Sequence, residues 1–268
     1  MTVWDPQQYA QFWDQRRRPA LDLVARLAPA EPPARILDLG CGPGTVTTLL
    51  AGRWPAAEIT GVDSSPEMLA EARALLPQVT WREGDLTTFT PDQAPDLLFT
   101  NAALHWVPDH ETLIPRLFGL VAAGGSLAIQ VPDKWDQPSH TIAFEIAAQD
   151  RWREALRGAI DPHPLLSPDR YLELLLPLAA DVDLWTTTYH HVLEGTDPVV
   201  EWFLGSFLRA FLSRLDEADG HEFVAEYAEA MRRAYPTRAD GRTVMPFQRL
   251  FLIARAEAQP WPVSPVAG

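Results

Sequence analysis

The chain has one cysteine, Cys41, and one lysine, Lys134, in 268 residues. A single thiol cannot close an intramolecular bridge, so a disulfide scaffold is excluded. No stretch of 18 apolar residues free of charge occurs, which removes the ordinary membrane-spanning helix. The start, MTVWDPQQYAQFW, lacks the basic region and apolar run of a secretory leader, and a cytosolic chain is expected. Positive charge is also scarce: 22 Lys and Arg stand against 36 Asp and Glu, a net charge of −14. Such a field repels nucleic-acid phosphates and anionic lipid, so neither is the expected partner, and a small molecule fits better. If that molecule is an anion, arginines must gather locally to hold it. All the basic residues but Lys134 are Arg, the bidentate carboxylate binder, although GC-rich coding gives the same usage.

What is present is a regular alternation. Short apolar runs at 35–39, 58–63, 79–85, 96–102 and 126–131 are interleaved with helical patterns such as SPEMLAEARALL and HETLIPRLFGLV. This predicts an α/β fold with a doubly wound, parallel sheet. Gly124 and Gly125 are expected to end a helix. Later residues change character. The segments 182–194 and 246–257 are rich in Thr, Tyr, Val, Phe and Ile and read as strands. Two helices are predicted between them. The first has Asp197 as N-cap, Pro198 at its first position and an apolar stripe through Val200, Phe203, Leu204, Phe207 and Phe211. The second carries Phe223, Val224, Tyr227 and Met231 and stops before Pro236. With no repeat or low-complexity linker, one domain is expected over 1–268. Within it, 1–30 forms a helical cover, 34–134 the ligand-binding core and 195–240 a helical lid.

The most informative stretch is ILDLGCGPGT, a buried strand running into Gly40, Gly42 and Gly44. Glycines at alternate positions let a ligand approach the backbone and meet the unpaired N–H groups of the next helix; a purely structural turn is the competing reading. The nicotinamide fingerprint would need Gly or Ala at 45, where Thr45 stands. The second strand ends in Asp63, followed by Ser64 and Ser65. Asp63 can accept both hydroxyls of a ribose, or it can cap the helix that starts at Pro66; Ser65 is an alternative cap that would leave Asp63 free. Asp85 ends the third strand and can accept an adenine amine, or simply stabilise a turn. Together these features sit along the carboxyl edge of one parallel sheet, where open α/β sheets bind ligands.

DLGCGPG, GVDSSPEM, EGDL and NAALHWVPD, taken in order, resemble the class I S-adenosylmethionine-dependent methyltransferases over about residues 34–131. The resemblance implies a Rossmann-like, seven-stranded, mostly parallel sheet whose last strand is antiparallel, and S-adenosyl-L-methionine as cofactor. By it, Gly40, Cys41 and Gly42 flank the methionine part and Asp63, with Ser64 beside it, holds the ribose. Met68 would cover the adenine face, Asp85 and Leu86 its edge, and Asn101 the aminoacyl end. Cys41 is given no redox role. WDPQQYAQFWDQRRRPALDLVARL, QVPDKWDQPSH, VDLWTTTYHHVL and FQRLFLIARAE extend the similarity to a branch that esterifies one carboxylate of a tricarboxylic acid. Lys134 and His105 depart from it, standing where uncharged amides are expected, and the AQPWPVSPVAG tail is extra.

The chemistry so implied needs no metal and no general base. A carboxylate is ionised near neutrality, so it must only be held in line with the sulfonium, shielded from water. No catalytic residue beyond positioning groups is therefore expected, and arginines should grip the carboxylates that do not react. Arg209, Arg18 from the Arg16–Arg17–Arg18 run, and Arg249 are the substrate candidates; Arg249 could equally serve an internal ion pair. Arg209 is expected on a helix face shared with Trp202 and Ser206. Trp106 is expected to wall the pocket, His105 to donate to a carboxylate or to be structural, and only one of Tyr189 and His190 can face inward. His110, His140, His163, His191 and His221 lack metal-ligand spacing, and no metal site is expected. The alternatives are a methyltransferase of the same fold acting on a phenol, quinone or other acid, and a non-catalytic binder of S-adenosyl ligands.

Overall fold

The computed structural model describes residues 13–29 and 31–258. Helix α1 (Trp13–Arg26) leads into β1 (Arg35–Leu39), α2 (Thr47–Arg53), β2 (Glu58–Asp63), α3 (Pro66–Leu75), β3 (Thr80–Glu83) and β4 (Leu97–Asn101). A 3-10 turn at Leu104–Trp106 precedes α4 (His110–Phe118), β5 (Ser126–Pro132), α5 (Pro138–Ala147), α6 (Arg153–Leu156) and α7 (Pro168–Leu175). The chain closes with β6 (Asp181–Leu193), α8 (Pro198–Leu204), α9 (Arg209–Leu212), α10 (Glu217–Ala234) and β7 (Thr243–Arg255). The expected start of α1 before residue 13 and the Pro-rich tail from 259 lie outside the described residues.

Seven strands form one sheet in the order β3-β2-β1-β4-β5-β7-β6. The first five pair in parallel. Strand β7 runs antiparallel to β5: Ala256 donates to Gly125 O near one end, and Asp133 donates to Gln248 O near the other. This is the sheet implied by the family resemblance. Every residue of β5 is buried, which is why SLAIQVP carries apolar residues on both faces rather than alternating, with Ser126 and Gln130 as its buried polar members.

The described residues fall into two compact units. One holds Pro19–Val131, Leu165–Thr186 and the chain from Leu250. Its core joins Leu37, Leu98, Leu127 and Ile129 of the sheet to Leu113 and Leu117 of α4 and Tyr171 and Leu175 of α7. The other holds the chain up to Arg18, Pro132–Pro164 and Thr187–Arg249. Its core is aromatic: Trp152, Phe203, Phe207, Phe211, Phe223, Tyr227 and Phe247.

Local sequence signals set most helix starts. Ser65 caps α3 by accepting from Met68 N, with Pro66 at the first position. Three expectations need correction. The helix after Asp197 is not continuous: α8 stops at Leu204, and a turn through Gly205 separates it from α9. Asp197 occupies the N-cap position in left-handed backbone, φ 54°, without a capping bond, because its carboxylate pairs with Arg232 through two bonds of 2.6 and 2.7 Å. Helix α4 ends at Phe118, and Gly124–Gly125 instead turn the chain into β5.

Candidate active site

The three glycines of the β1–α2 turn all have positive φ, 77°, 54° and 78° for Gly40, Gly42 and Gly44, but for different reasons. A Cβ on Gly40 would lie 2.4 Å from the Ala103 Cβ, and one on Gly44 would lie 2.8 Å from the Trp81 ring. These two are demanded by packing. A Cβ on Gly42 would meet nothing within 4 Å, so there the backbone faces open space that a ligand can enter. The turn is braced from two sides. Asp63 Oδ2 accepts from Gly42 N at 2.8 Å while its Oδ1 accepts from Ser65 N at 3.0 Å. Beneath the turn, Thr47 Oγ1 donates to the buried Asp38 at 2.6 Å; burial pushes the Asp38 carboxyl up to about 7, despite that bond. Burial also raises the Cys41 thiol far above its ordinary range, with the Asp38 and Asp63 charges adding to the effect.

Register lines up the rest of the edge. Leu39 pairs with Val62, Asp38 with Phe99 and Asn101 with Gln130. Carried on to the strand ends, this places Asp63, Gly40, Asn101 and Gln130 in one row across β2, β1, β4 and β5. At the β4–β5 end of the row, Thr100 Oγ1, Asn101 Oδ1 and both amide atoms of Gln130 are buried without a hydrogen-bond partner. The next residue, Ala102, takes φ 53°, an uncommon conformation for a residue with a Cβ, held by its N–H on Gln130 O at 2.8 Å. Asp85 lies two residues past the end of β3, not in the strand as expected, and is exposed; its Oδ1 accepts from Thr87 N and Thr87 Oγ1 at 2.7 and 2.6 Å, which lowers its carboxyl below the usual range.

In the second unit, cations meet aromatic rings. Lys134 and Arg249 are both buried, with Lys134 Nζ 4.5 Å from the Trp135 ring centroid and Arg249 Cζ 4.6 Å from that of Phe247. Burial, and then the Arg249 charge, lowers the Lys134 ammonium to about 7. His140 packs against Phe207 at 4.2 Å, and burial and Lys134 hold it well below the ordinary imidazole value. Arg18 Cζ lies 5.3 Å from the Tyr189 ring.

A family profile described as "Methyltransferase domain" matches residues 36–125. A trans-aconitate 2-methyltransferase of Streptomyces avermitilis is 47% identical over 264 residues, covering 95% of this chain and 97% of the relative. One from Methylobacterium radiotolerans is 45% identical over 258 residues, covering 95% and 99%. The chain belongs to the trans-aconitate 2-methyltransferase family. It is therefore an S-adenosyl-L-methionine-dependent methyltransferase. The fold agrees: the crystal structure of the YcgJ protein from Bacillus subtilis superposes with a TM-score of 0.56 at 13% identity, covering 90% of this chain and 99% of that one.

The sequence-derived cofactor residues of this family member divide clearly. Gly40, Cys41, Gly42 and Asp63 converge on one turn. Ser64 is exposed beside Asp63, Met68 is half-buried in the first turn of α3, and Leu86 is half-buried after β3. The cradle fits the cofactor: Gly42 faces open space, and the buried, unpartnered Asn101 Oδ1 is an acceptor of the kind an α-ammonium needs. Asp63 is not free, as one sequence reading had it, but each of its oxygens accepts only one N–H and keeps a lone pair for a hydroxyl.

Of the substrate candidates, Arg18 and Tyr189 meet, and Tyr189 is buried while His190 is exposed, as alternation requires. Arg209 and Trp202 stand on separate helices rather than on one, with Gly205 between them, and Trp202 is buried with its ring 4.6 Å from His191. His105 is buried, and Trp106 is 51% exposed with its ring 4.6 Å from His105. Sequence reasoning missed Asp38, Thr47, Thr100, Gln130 and His140. Asp38 had a signal, a carboxylate inside an otherwise apolar strand; the others look like ordinary polar residues until burial is known. His110 is structural: its Nε2 faces Leu104 O at 3.0 Å and so carries the hydrogen, leaving Nδ1 to accept from Tyr171 OH at 2.6 Å.

Proposed function

We propose that the chain transfers a methyl group from S-adenosyl-L-methionine to one carboxylate of trans-aconitate, giving a monomethyl ester and S-adenosylhomocysteine. The observation that carries this reading is the end-to-end match, at 45–47% identity, to relatives bearing that name. The cofactor supplies an electrophilic methyl on its sulfonium. Gly40, Cys41 and Gly42 would hold the methionine part, Asp63 and Ser64 the ribose, Met68, Asp85 and Leu86 the adenine, and Asn101 the ammonium.

No base is required, since the attacking carboxylate has a pKa near ~4 and is already ionised. Its oxygen forms the new C–O bond as the C–S bond breaks, and no proton moves. Positioning and exclusion of water are what the protein must contribute. Arg249, Arg18 and Arg209 are assigned to the non-reacting carboxylates, with Tyr189, His105 and Trp106 as further substrate contacts. The buried Arg249 supplies positive charge that an anion needs in a molecule of net charge −14. The setting proposed is cytosolic, with a small polycarboxylate rather than nucleic acid or membrane as partner; no described helix is long and apolar enough to cross a membrane.

Incubation with methyl-labelled cofactor and trans-aconitate should produce a labelled ester that alkali releases as methanol. Protein that binds S-adenosylhomocysteine yet yields no such ester overturns the substrate assignment.

A further inference from the structure

The row of residues along the carboxyl ends of the strands does not stop where the cofactor residues stop. Asp63 at the end of β2 marks the ribose, the glycine turn follows on β1, and Asn101 on β4 marks the aminoacyl end; Gln130 on β5 comes next, in register with Asn101. The row spans three strand spacings, about 14 Å. That is longer than the reach from a ribose to the sulfonium of its own nucleoside, so its last member, one strand past Asn101, lies beyond the sulfonium.

Gln130 is 1% exposed, and neither its amide nitrogen nor its amide oxygen has a hydrogen-bond partner. A buried amide with two donors and an acceptor idle is costly to keep, and a Leu or Met of similar volume would fill the same space without that cost. Its neighbours explain nothing structural: Asn101 Oδ1 and Thr100 Oγ1 are idle as well, and the strand contact at this point is made by the Gln130 backbone oxygen, which accepts from Ala102 N. Asn101 and Gln130, paired in register on adjacent strands, set two idle polar side chains side by side, as a site for something polar that arrives later would; Thr100, one residue before Asn101, alternates to the other face of the sheet. An amide N–H suits an ionised carboxylate, because it can hold the oxygen that does not attack without drawing the negative charge away as strongly as an arginine would.

We propose that the Gln130 side chain binds the reacting carboxylate of the acid substrate, its Nε2 donating to the non-attacking oxygen while the other oxygen is left free to meet the methyl group. This rests on the carboxyl-methylation reading above. The test compares the parent protein with Gln130→Met, using Gln130→Asn as a second variant should the first not fold. For the variants, kcat/KM for trans-aconitate should fall about 10- to 100-fold, the loss of one hydrogen bond to a charged group. The dissociation constant for S-adenosylhomocysteine, from calorimetry, should change less than about twofold.

A variant that weakens S-adenosylhomocysteine binding and leaves the acid parameters alone would assign Gln130 to the cofactor and overturn the proposal. So would a variant that changes neither. Failure of the function reading looks different: the parent itself would make no ester. In that case, calorimetric binding of tricarballylate to the S-adenosylhomocysteine-loaded parent, lost in Gln130→Met, still supports a carboxylate site at Gln130. No binding by the parent overturns it.

Discussion

Single residues in the glycine turn carry separable duties, and substitutions should separate them. Gly42→Ala places a Cβ in open space at φ 54°, so its stability cost is only the left-handed strain of about 1–2 kcal/mol. Its cofactor affinity should nonetheless drop tenfold or more, a ~1.4 kcal/mol effect measurable by titration with S-adenosylhomocysteine. Asp63→Ala strips acceptors from Gly42 N and Ser65 N and should cost about 1–3 kcal/mol in urea unfolding besides abolishing cofactor binding. Asp38 gives a pH signature. Its carboxyl titrates near 3.8 unfolded and about 7 folded, so between those values the native chain carries a proton that the unfolded chain has lost. The contribution of this residue is therefore largest below the unfolded value and declines as pH rises to about 7, by as much as ~4 kcal/mol. Asp38→Asn keeps the acceptor for Thr47 and should flatten the fall of melting temperature between about pH 4 and 7; an unchanged slope would refute this. That a carboxylate sat inside β1 was legible in RILDL. That it would be fully desolvated was not, because burial depends on strands 20 and 60 residues away.

At the scale of elements, Trp81 shows how much a short edge strand can matter. Its ring covers the glycines of two neighbours: a Cβ on Gly61 would lie 2.2 Å from it, and its Nε1 donates to Leu76 O at 3.0 Å. Gly61→Ala should cost about 1–3 kcal/mol by overpacking, and Trp81→Phe combined with Gly61→Ala should recover part of that loss in the same denaturation assay. Strands β1 and β2 match their sequence-predicted limits residue for residue, since apolar runs bounded by Gly, Pro and Asp leave little choice. The first helix after Asp197 did not follow its pattern, whereas the second, Glu217–Ala234, stops before Pro236 as expected. A stripe through Val200, Phe203, Phe207 and Phe211 has helical spacing whether or not the helix is unbroken, so the pattern alone could not show that it breaks at Gly205. Likewise Asp197 had the identity of a cap, but Arg232, 35 positions later, claimed its carboxylate.

For the molecule as a whole, one reporter thiol makes folding easy to follow. Cys41 is buried and its thiol is pushed far upward, so alkylation at pH 8 should be slow in the native protein and should accelerate only in step with global unfolding; fast labelling with intact far-UV dichroism would contradict the burial. Composition settled the acidic charge and the absence of a disulfide framework, and the alternation of apolar runs with helical patterns settled the α/β class, because counting and periodicity need no partner residue. The ordered motifs were enough to place the glycine turn beside the strand end that carries Asp63, since a turn and the strand ends beside it are specified by residues close in sequence. The idle amide of Gln130, the different reasons for three glycines and the burial of Lys134 and Arg249 against aromatic rings were left to tertiary structure. Each depends on which distant atoms occupy, or leave empty, the space around one side chain, and a linear order of residues does not contain that information.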